Sequence, residues 1–232
     1  TLDLAGNDQF FLWQPWFSEV FNKGGVDIVI GNPPYIGEKG HKEIFQPVKA
    51  DIHLGQYYLG KMDYFYFFFH LAFNMLSPSG VATFITTNYY PTALGARKLR
   101  ADIKDRMNIK TLFNLGELRL FENAPGQHNM ISSFAKGKDG CKCQVIDVHK
   151  KGALNPIMFT SIISRKDEDT AYADVAHEDL YDGEENYIRL QNSSGDNPLS
   201  SLLDKIQLRN NTLGNIAEVN AGIMGGCDSI TN

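Results

Sequence analysis

The chain has 232 residues, of which 43% are hydrophobic and 21% charged. This composition excludes intrinsic disorder and a collagen-like fibre. Asp and Glu (27 residues) outnumber Lys and Arg (22), and the formal net charge is −5. Because free-standing nucleic-acid binders usually carry a basic excess, any contact with DNA is expected to be local.

The first predicted strand, residues 26–30, is a β-branched run of the kind found in buried parallel strands. It stops at Asn32-Pro33-Pro34-Tyr35, and chemistry at the carboxyl end of a strand is common in α/β proteins. Residues 36–59 are rich in Gly and mixed in charge, without a sustained period. They are predicted to form a long loop or lid with one helical turn.

Helices and strands then follow in alternation. The hydrophobic pattern predicts helices at residues 63–76 and 93–107 and strands at residues 81–86, 110–115, 130–135 and 143–148. The second helix carries a basic face, predicted to be solvated, with phosphate contact as the alternative. That face consists of Arg97, Lys98, Arg100, Lys104 and Arg106.

The last third of the chain changes character. Residues 155–197 are acidic and irregular and are predicted to be a surface excursion with solvated Asp and Glu clusters. Residues 199–208 regain helical spacing, which predicts a domain boundary between residues 198 and 199.

Cysteine usage and one apolar run bear on the compartment. Three cysteines in a chain of this length indicate a reducing cytoplasm, and no second Cys or His pair stands at zinc spacing, so no metal site is predicted. The apolar run at residues 64–76 is shorter than the roughly 20 residues of a membrane span. It is predicted to be a buried helix, and no membrane contact is expected.

The motif Asn32-Pro33-Pro34-Tyr35 has a specific chemical use. An amine conjugated with a heteroaromatic ring, or an amide nitrogen, is a poor nucleophile because its lone pair is delocalised. If the Asn32 side-chain oxygen and the Pro33 carbonyl each accept one N–H bond, the nitrogen is drawn toward a tetrahedral shape. Two consecutive prolines hold the acceptor carbonyl rigidly, and Tyr35 offers a flat face to a planar substrate.

The motif contains no obvious proton acceptor. It therefore suits a very reactive electrophile, such as a sulfonium methyl group, for which positioning carries most of the catalysis. The competing interpretation is a plain turn, since Asn-Pro pairs commonly begin turns.

Residues 24–36 resemble the catalytic segment of amino-methyltransferases that use S-adenosylmethionine. The resemblance is closest to the adenine-N6 DNA methylases fused to type IIG restriction-modification enzymes. It continues in the family's order through residues 60–64, 76–81, 84–88, 99–103, 115–117 and 120–124. It covers residues 10–136, with a weaker likeness after residue 199, and the ordered set is more specific than Asn-Pro-Pro-Tyr alone.

The resemblance implies an α/β fold, the carboxyl half of a Rossmann-like methyltransferase sheet with a terminal β-hairpin. Residues 1–198 would be a partial catalytic domain, and residues 199–232 a linker helix and the start of a target-recognition domain. The family's glycine-rich cofactor loop is not found in residues 1–31. This chain alone is therefore expected to lack the main S-adenosylmethionine loop, to bind the cofactor poorly and to be inactive.

The family's residue roles carry over to matching positions. Asn32 and Pro33 would hold the target amine, and Tyr35 would stack on a flipped adenine. Phe121 matches the aromatic residue that flanks the base, although longer spacing leaves Phe113 and Phe134 as alternatives.

Two further roles lie outside that base pocket. Phe68 falls where the family places a side chain against the adenine ring of the cofactor. The segment Gln127-His128-Asn129 is a candidate DNA contact near the base.

The function implied is methyl transfer from S-adenosylmethionine to adenine N6 in double-stranded DNA. One alternative keeps the chemistry and changes the acceptor to a protein glutamine or an RNA guanine, because such methyltransferases share the motif. The second is a DNA-binding or scaffolding module that retains the motif without turnover.

Overall fold

The structure is a computed structural model that describes residues 13–121, 127–137, 140–190 and 217. Within these ranges the helices are α1 (Trp13–Trp16), α2 (Ser18–Asn22), α3 (Lys42–Ala50), α4 (Phe65–Met75), α5 (Arg97–Arg106) and α6 (Pro156–Ile163). The strands are β1 (Val26–Gly31), β2 (Leu76–Thr87), β3 (Met107–Asn114), β4 (Leu118–Arg119), β5 (Asn129–Lys136), β6 (Cys143–Val148), β7 (Gly152–Ala153), β8 (Thr170–Val175), β9 (Tyr181–Asp182) and β10 (Tyr187–Ile188).

Six of these strands form one mixed sheet in the order β1-β2-β5-β3-β6-β8. Strand β1 is parallel to β2, and β3 is parallel to β6, whereas β5 runs antiparallel to both β2 and β3. Strand β8 is antiparallel to β6. The strands β1, β2, β3 and β6 therefore share a direction, and their carboxyl ends lie along one edge of the sheet. The predicted α/β class and the hairpin of β3 and β5 are confirmed.

Helix α4 builds the larger core. Its run of aromatic residues buries one side chain after another against the sheet, and Phe69 lies at the centre. The Phe69 ring stacks on Phe84 of β2 at 4.5 Å and contacts Phe73, Tyr90 and Phe134 at 5.5 to 6.1 Å between ring centroids. The predicted helix at residues 63–76 is thus a buried core helix. In the described residues no helix is long and apolar enough to cross a membrane.

Strand β1 differs from its predicted buried environment. It pairs with β2 alone in the described part of the chain, and Ile28 and Ile30 are 68% and 80% exposed. Val29, which points to the other face, packs against the core. In the described part of the chain, no layer covers the face of β1 that carries Ile28 and Ile30. Helices α3, α4 and α5 contribute to the cluster on the opposite face.

Residues 36–59 are not the long loop that was predicted. They contain helix α3, nine residues long, and a 3-10 turn at Gly55–Tyr57. Phe45 is buried, and Ile44 and Val48 pack beside it against the main core. The helical spacing of these three apolar residues was not recognised in the sequence, because Gly and charged residues surround them.

Residues 155–190 are also more ordered than predicted. Strand β8 pairs with β6 at the edge of the sheet. Helix α6 packs on β3 and β6, where Phe113, Ile146 and Ile162 belong to a second buried cluster on the other face of the sheet. Asp167, predicted to be solvated, is 7% exposed and pairs with Lys150 at 2.6 Å. The prediction of irregular structure was therefore wrong for this part, whereas most acidic residues of the two clusters are exposed as predicted: Glu168, Asp169, Asp182 and Glu184. The proposed boundary at residue 198 and the domain after it lie outside the described residues, except for residue 217.

The basic face of α5 is not free for phosphate. Arg100 is fully buried, and its guanidinium donates to three backbone carbonyl oxygens: those of Tyr90 (3.0 Å), Ala93 (2.6 Å) and Glu185 (3.0 Å). The other four basic side chains pair with Glu185 (Arg97), the Gln56 and Tyr58 carbonyls (Lys98), Asn186 (Lys104) and Asp102 (Arg106). The prediction of a solvated basic face holds for Arg97 and Lys104, which are exposed, but was wrong for Arg100, which is buried.

His70 on α4 makes stability depend on pH. It is fully buried, its Nδ1 lies 2.6 Å from Asp102, and its ring stacks on Tyr57 at 3.6 Å. Burial lowers the pKa of His70 below the ordinary 6.5, although Asp102 opposes that shift. As the pH falls through 6.5 the unfolded chain gains a proton before the folded chain does, so the free energy of unfolding decreases, by at most about 1.4 kcal/mol per pH unit.

We expect denaturant unfolding of this chain to show that decrease between pH 7.5 and pH 5.5. His70→Gln should flatten the slope, whatever it does to the stability itself. The exposed His53 provides the control, since His53→Gln should retain the wild-type slope. An unchanged slope in His70→Gln would show that another group is responsible.

Candidate active site

The candidate site lies at the carboxyl edge of the sheet, where β1 ends. Gly31 is the last residue of β1, and a Cβ at this position would lie 2.9 Å from the ring of Phe84. A larger residue at this position would therefore require the buried Phe84 ring to move. Asn32, Pro33, Pro34 and Tyr35 then leave the sheet without helical or strand structure.

The four residues differ in burial, as their chemistry requires. Pro33 is buried, Tyr35 is half-buried, and Asn32 and Pro34 are exposed. The Tyr35 hydroxyl donates to the Asn32 side-chain oxygen at 2.7 Å and also lies 3.0 Å from the Ile85 carbonyl oxygen on β2. The ring of Tyr35 meets Phe65 of α4 edge-on at 6.0 Å. These contacts fix the motif against both β2 and the core helix.

A pocket of about 320 Å³ opens beside the motif. Its lining residues in the described part of the chain are Asn32, Pro33, Pro34, Tyr35, Phe121 and Gln127. A volume in this range is typical of small-molecule sites. The pocket brings Asn32 and the two aromatic residues Tyr35 and Phe121 around one space.

The structure separates the three candidate phenylalanines. Phe121 lines the pocket, whereas Phe113 and Phe134 are 5% and 0% exposed. Phe113 stacks on Phe159 of α6, and Phe134 packs against Phe69 and Phe73. Of these three rings, only Phe121 stands beside the motif.

The pocket lining in the described residues carries no charged side chain. Burial raises the pKa of the Tyr35 hydroxyl, an effect partly offset by a hydrogen bond with the Asn129 side chain. Tyr35 therefore remains a protonated donor throughout the physiological pH range. The site offers oxygen acceptors and aromatic faces, and no described lining side chain acts as a strong base.

Two contributors to this site could not be identified individually from the sequence. Gln127 belongs to a segment that was a candidate DNA contact, and it lines the pocket. Asn129, at the start of β5, is buried beside β2, with its amide nitrogen 3.4 Å from the Thr86 carbonyl. The sequence alone could not show that Asn129 lies near the motif, because it is the pairing of β2 with β5 that brings Asn129 there.

The residues present fit S-adenosylmethionine in part. Phe68 is half-buried on α4, between fully buried neighbours, and its ring contacts Tyr64 edge-on at 5.9 Å. It thus presents partly accessible apolar surface of the kind an adenine ring packs against. A lining of oxygen acceptors and aromatic rings without charged groups also suits a sulfonium cation. Phe68 is not among the described residues that line the pocket.

The fold and the pocket place the chain in the class of Rossmann-like methyltransferase folds. The EcoKI M protein of a type I restriction enzyme superposes with a TM-score of 0.51 at 12% identity, covering 83% of this chain and 49% of that protein. A chain from a type I restriction-modification system superposes with a TM-score of 0.52 at 13% identity, covering 82% of this chain and 44% of that one. At these identities the likeness shows the fold alone.

The chain belongs to the Eco57I restriction-modification methylase family, whose sequence profile matches residues 1–121. The type II methyltransferases M.HincII and M.HindII of Haemophilus influenzae are each 24% identical to it over 139 residues. Those residues make up 60% of this chain but 28% and 27% of the two relatives. The chain therefore spans less than a third of the length of either relative. The restriction-modification methylase family predicted from the ordered motifs is confirmed.

Proposed function

We propose that this chain is the methyl-acceptor half of a DNA methyltransferase catalytic domain, and that the protein containing it methylates N6 of adenine. The observation that carries the proposal is the pocket that is lined by Asn32, Tyr35 and Phe121 together. Membership of a restriction-modification methylase family supports DNA as the substrate.

The motif would act by reshaping the target amine. The Asn32 oxygen and the Pro33 carbonyl each accept one N–H bond, which opposes conjugation of the nitrogen lone pair with the adenine ring. Pro33 is buried and flanked by a second proline, so its carbonyl keeps its direction when the substrate arrives. Binding energy is thus used to align the lone pair, and this alignment is preorganised in the fold.

The aromatic residues would hold the base outside the DNA helix. A base inside a duplex cannot reach this pocket, so it must leave the stack at a cost of a few kcal/mol. Stacking on Tyr35 and Phe121 offsets that cost, at about 1 to 3 kcal/mol for each base–aromatic contact. Gln127 lines the same pocket, and a glutamine side-chain amide can offer a donor or an acceptor to the edge of the base.

S-adenosylmethionine, when bound, supplies an electrophilic methyl group that needs no further activation. In this chain Phe68 would pack against its adenine ring. Ile28 and Ile30 on β1 are exposed. Their exposure favours a further part of the parent protein that covers this end of the sheet. Such a part would carry the remaining cofactor contacts.

A methyl-transfer assay tests the proposed function. The full-length protein would be incubated with labelled S-adenosylmethionine and, in separate reactions, with duplex DNA, RNA or protein as the acceptor. Label in duplex DNA, recovered as N6-methyladenine after hydrolysis, is the expected result. Label in protein glutamine or in RNA guanine would show that the acceptor is protein or RNA and not DNA. DNA binding without any methylation would support a non-catalytic module.

Replacing Phe121 with Ala should weaken use of the target base. Loss of one stacking contact, about 1 to 3 kcal/mol, corresponds to roughly a 5- to 150-fold lower kcat/KM for DNA. The measurement is steady-state methylation of duplex DNA by the full-length protein. Phe159→Ala is the matched control, because the Phe159 ring stacks on Phe113 of the second core cluster. A Phe121→Ala enzyme with wild-type kcat/KM would remove Phe121 from the site.

A further inference from the structure

Arg119 stands close to the pocket in the chain and is exposed. It is the last residue of β4 and lies two positions before Phe121, which lines the pocket. Two residues of extended chain span at most about 7 Å, so the Cα atoms of Arg119 and Phe121 are no further apart than that. A long side chain that starts at this position can reach a group bound at the mouth of the pocket.

The backbone of Arg119 is fixed by its neighbours. Leu118 is fully buried in the second core cluster, and Leu120 packs against the same cluster. Strand β4 pairs with β7, and the Leu154 amide donates to the Arg119 carbonyl at 2.9 Å. The Arg119 side chain, which lies between two leucines that pack inward, is therefore presented to solvent from an anchored position.

The guanidinium of Arg119 differs from those of the other described arginines. It has no hydrogen-bond or ion-pair partner in the part of the chain that the structure describes. The nearby Lys151 is not equivalent, because its ammonium pairs with the Glu117 carboxylate at 2.7 Å. Since arginine stays protonated, Arg119 carries a charge that no described side chain pairs with. The described arginines that do have a partner are Arg97, Arg100, Arg106, Arg165 and Arg189.

A free guanidinium beside the pocket suits one part of a DNA substrate. The nucleotide whose base enters the pocket stays joined to its strand by a phosphate on each side, so these phosphates stand at the pocket mouth. A guanidinium binds phosphate through two parallel N–H bonds. Because the chain as a whole has a net charge of −5, attraction of DNA to it depends on local cations of this kind.

We propose that Arg119 is a positioning residue that binds a backbone phosphate flanking the target adenine. It holds the DNA strand at the pocket mouth while the base occupies the space between Tyr35 and Phe121. This inference rests on the proposed function, since it names a second part of the substrate that the same site holds.

The salt dependence of DNA binding tests the contact in Arg119→Ala. With one phosphate fewer neutralised, the slope of log Kobs against log salt concentration should become shallower by about 0.9. The measurement is equilibrium binding of duplex DNA by the full-length protein between roughly 50 and 200 mM salt. Arg119→Lys should retain the wild-type slope but bind more weakly, because an ammonium neutralises one phosphate without the paired N–H bonds.

Arg97→Ala is the matched control, because it removes the same charge from an arginine that already has a partner. Arg97 lies on α5, pairs with Glu185 at 3.1 Å and has a side chain that is 50% exposed. This variant should retain the wild-type salt slope. A wild-type slope in Arg119→Ala, or an equal decrease in Arg97→Ala, would overturn the proposal.

Modified duplexes locate the phosphate. Each phosphate that flanks the methylated adenine would be replaced, in a separate duplex, by an uncharged methylphosphonate. At one of the two positions KM of the wild type for DNA should rise about tenfold, the effect of one charge-assisted hydrogen bond, with kcat within about twofold. In Arg119→Ala the same replacement should cost at most about twofold, because both changes remove one contact. Equal costs in the two proteins at both positions would overturn the proposal.

The two measurements distinguish this role from the proposed function. The salt slope requires DNA binding but no turnover, so it can be determined even for a protein that transfers no methyl group. Absence of methylation by the wild type would count against the proposed function. An unchanged slope in Arg119→Ala of a protein that methylates DNA would instead remove only the phosphate contact.

Discussion

Replacing Asn32 with Ala is expected to lower kcat for DNA methylation by the full-length protein at least about 100-fold. Removing one preorganised hydrogen-bonding group aimed at the reacting centre typically costs about 10² to 10³ in rate. Here the loss removes one of two acceptors for the amine, and Pro33 alone cannot constrain both N–H bonds. DNA affinity should be largely retained, because Tyr35 and Phe121 still line the pocket.

Single-turnover methylation and equilibrium DNA binding would measure the two effects separately. The matched control is Asn74→Ala, at the carboxyl end of α4 and therefore at the opposite edge of the sheet. Asn74 is exposed and accepts a hydrogen bond from Arg106 at 2.7 Å. It should retain wild-type turnover. A methylation rate in Asn32→Ala close to that of the control would refute the role assigned to Asn32.

The place of the candidate site could be predicted because it depends on neighbouring residues. A β-branched run followed by two prolines must end as a strand, since proline cannot continue the sheet ladder. The α/β alternation of the following elements then requires that end to lie at the carboxyl edge. The structure agrees, with β1 ending at Gly31 and the motif at the rim of a pocket.

The partners of the motif could not be read from the chain, because tertiary structure selects them. Phe113, Phe121 and Phe134 are chemically identical, and only packing leaves Phe121 beside Asn32 while the other two join the cores. Asn129 likewise reaches Tyr35 only because β5 inserts between β2 and β3. Local pattern does not encode such pairings.

The same limit explains why the prediction for Arg100 on α5 was wrong. A helical charge pattern indicates which side chains share a face, but it does not identify what packs on that face. The segment around Glu185 and Asn186 lies against α5 and accepts hydrogen bonds from three of its basic side chains. Basic side chains that were candidates for phosphate contact therefore attach the segment around Glu185 and Asn186 to α5.

Arg100→Ala should accordingly lower the free energy of unfolding of this chain by about 3 to 5 kcal/mol, because it leaves a cavity and buried carbonyl groups without their donor. The side chain is fully buried, and its guanidinium lies 4.7 Å from the centre of the Tyr187 ring. Truncation would leave a cavity and deprive the carbonyls of Tyr90, Ala93 and Glu185 of their donor. Each unsatisfied buried acceptor costs about 1 to 3 kcal/mol, partly recovered if water enters.

Arg97 on the same helix supplies the control for that experiment. It pairs with the Glu185 carboxylate at 3.1 Å, and its side chain is 50% exposed. Arg97→Ala should therefore cost less than about 1 kcal/mol in urea-induced unfolding followed by circular dichroism. Arg100→Lys should remain strongly destabilised, because a single ammonium group cannot reproduce the planar fork that reaches carbonyls on separate segments.

In Arg100→Ala, hydrogen exchange should also accelerate at the Ile188 amide, which is bonded to the Pro91 carbonyl beside the Arg100 contacts. If Arg100→Ala were no more destabilising than Arg97→Ala, the buried guanidinium would not be what attaches the Tyr181–Ile188 region to α5.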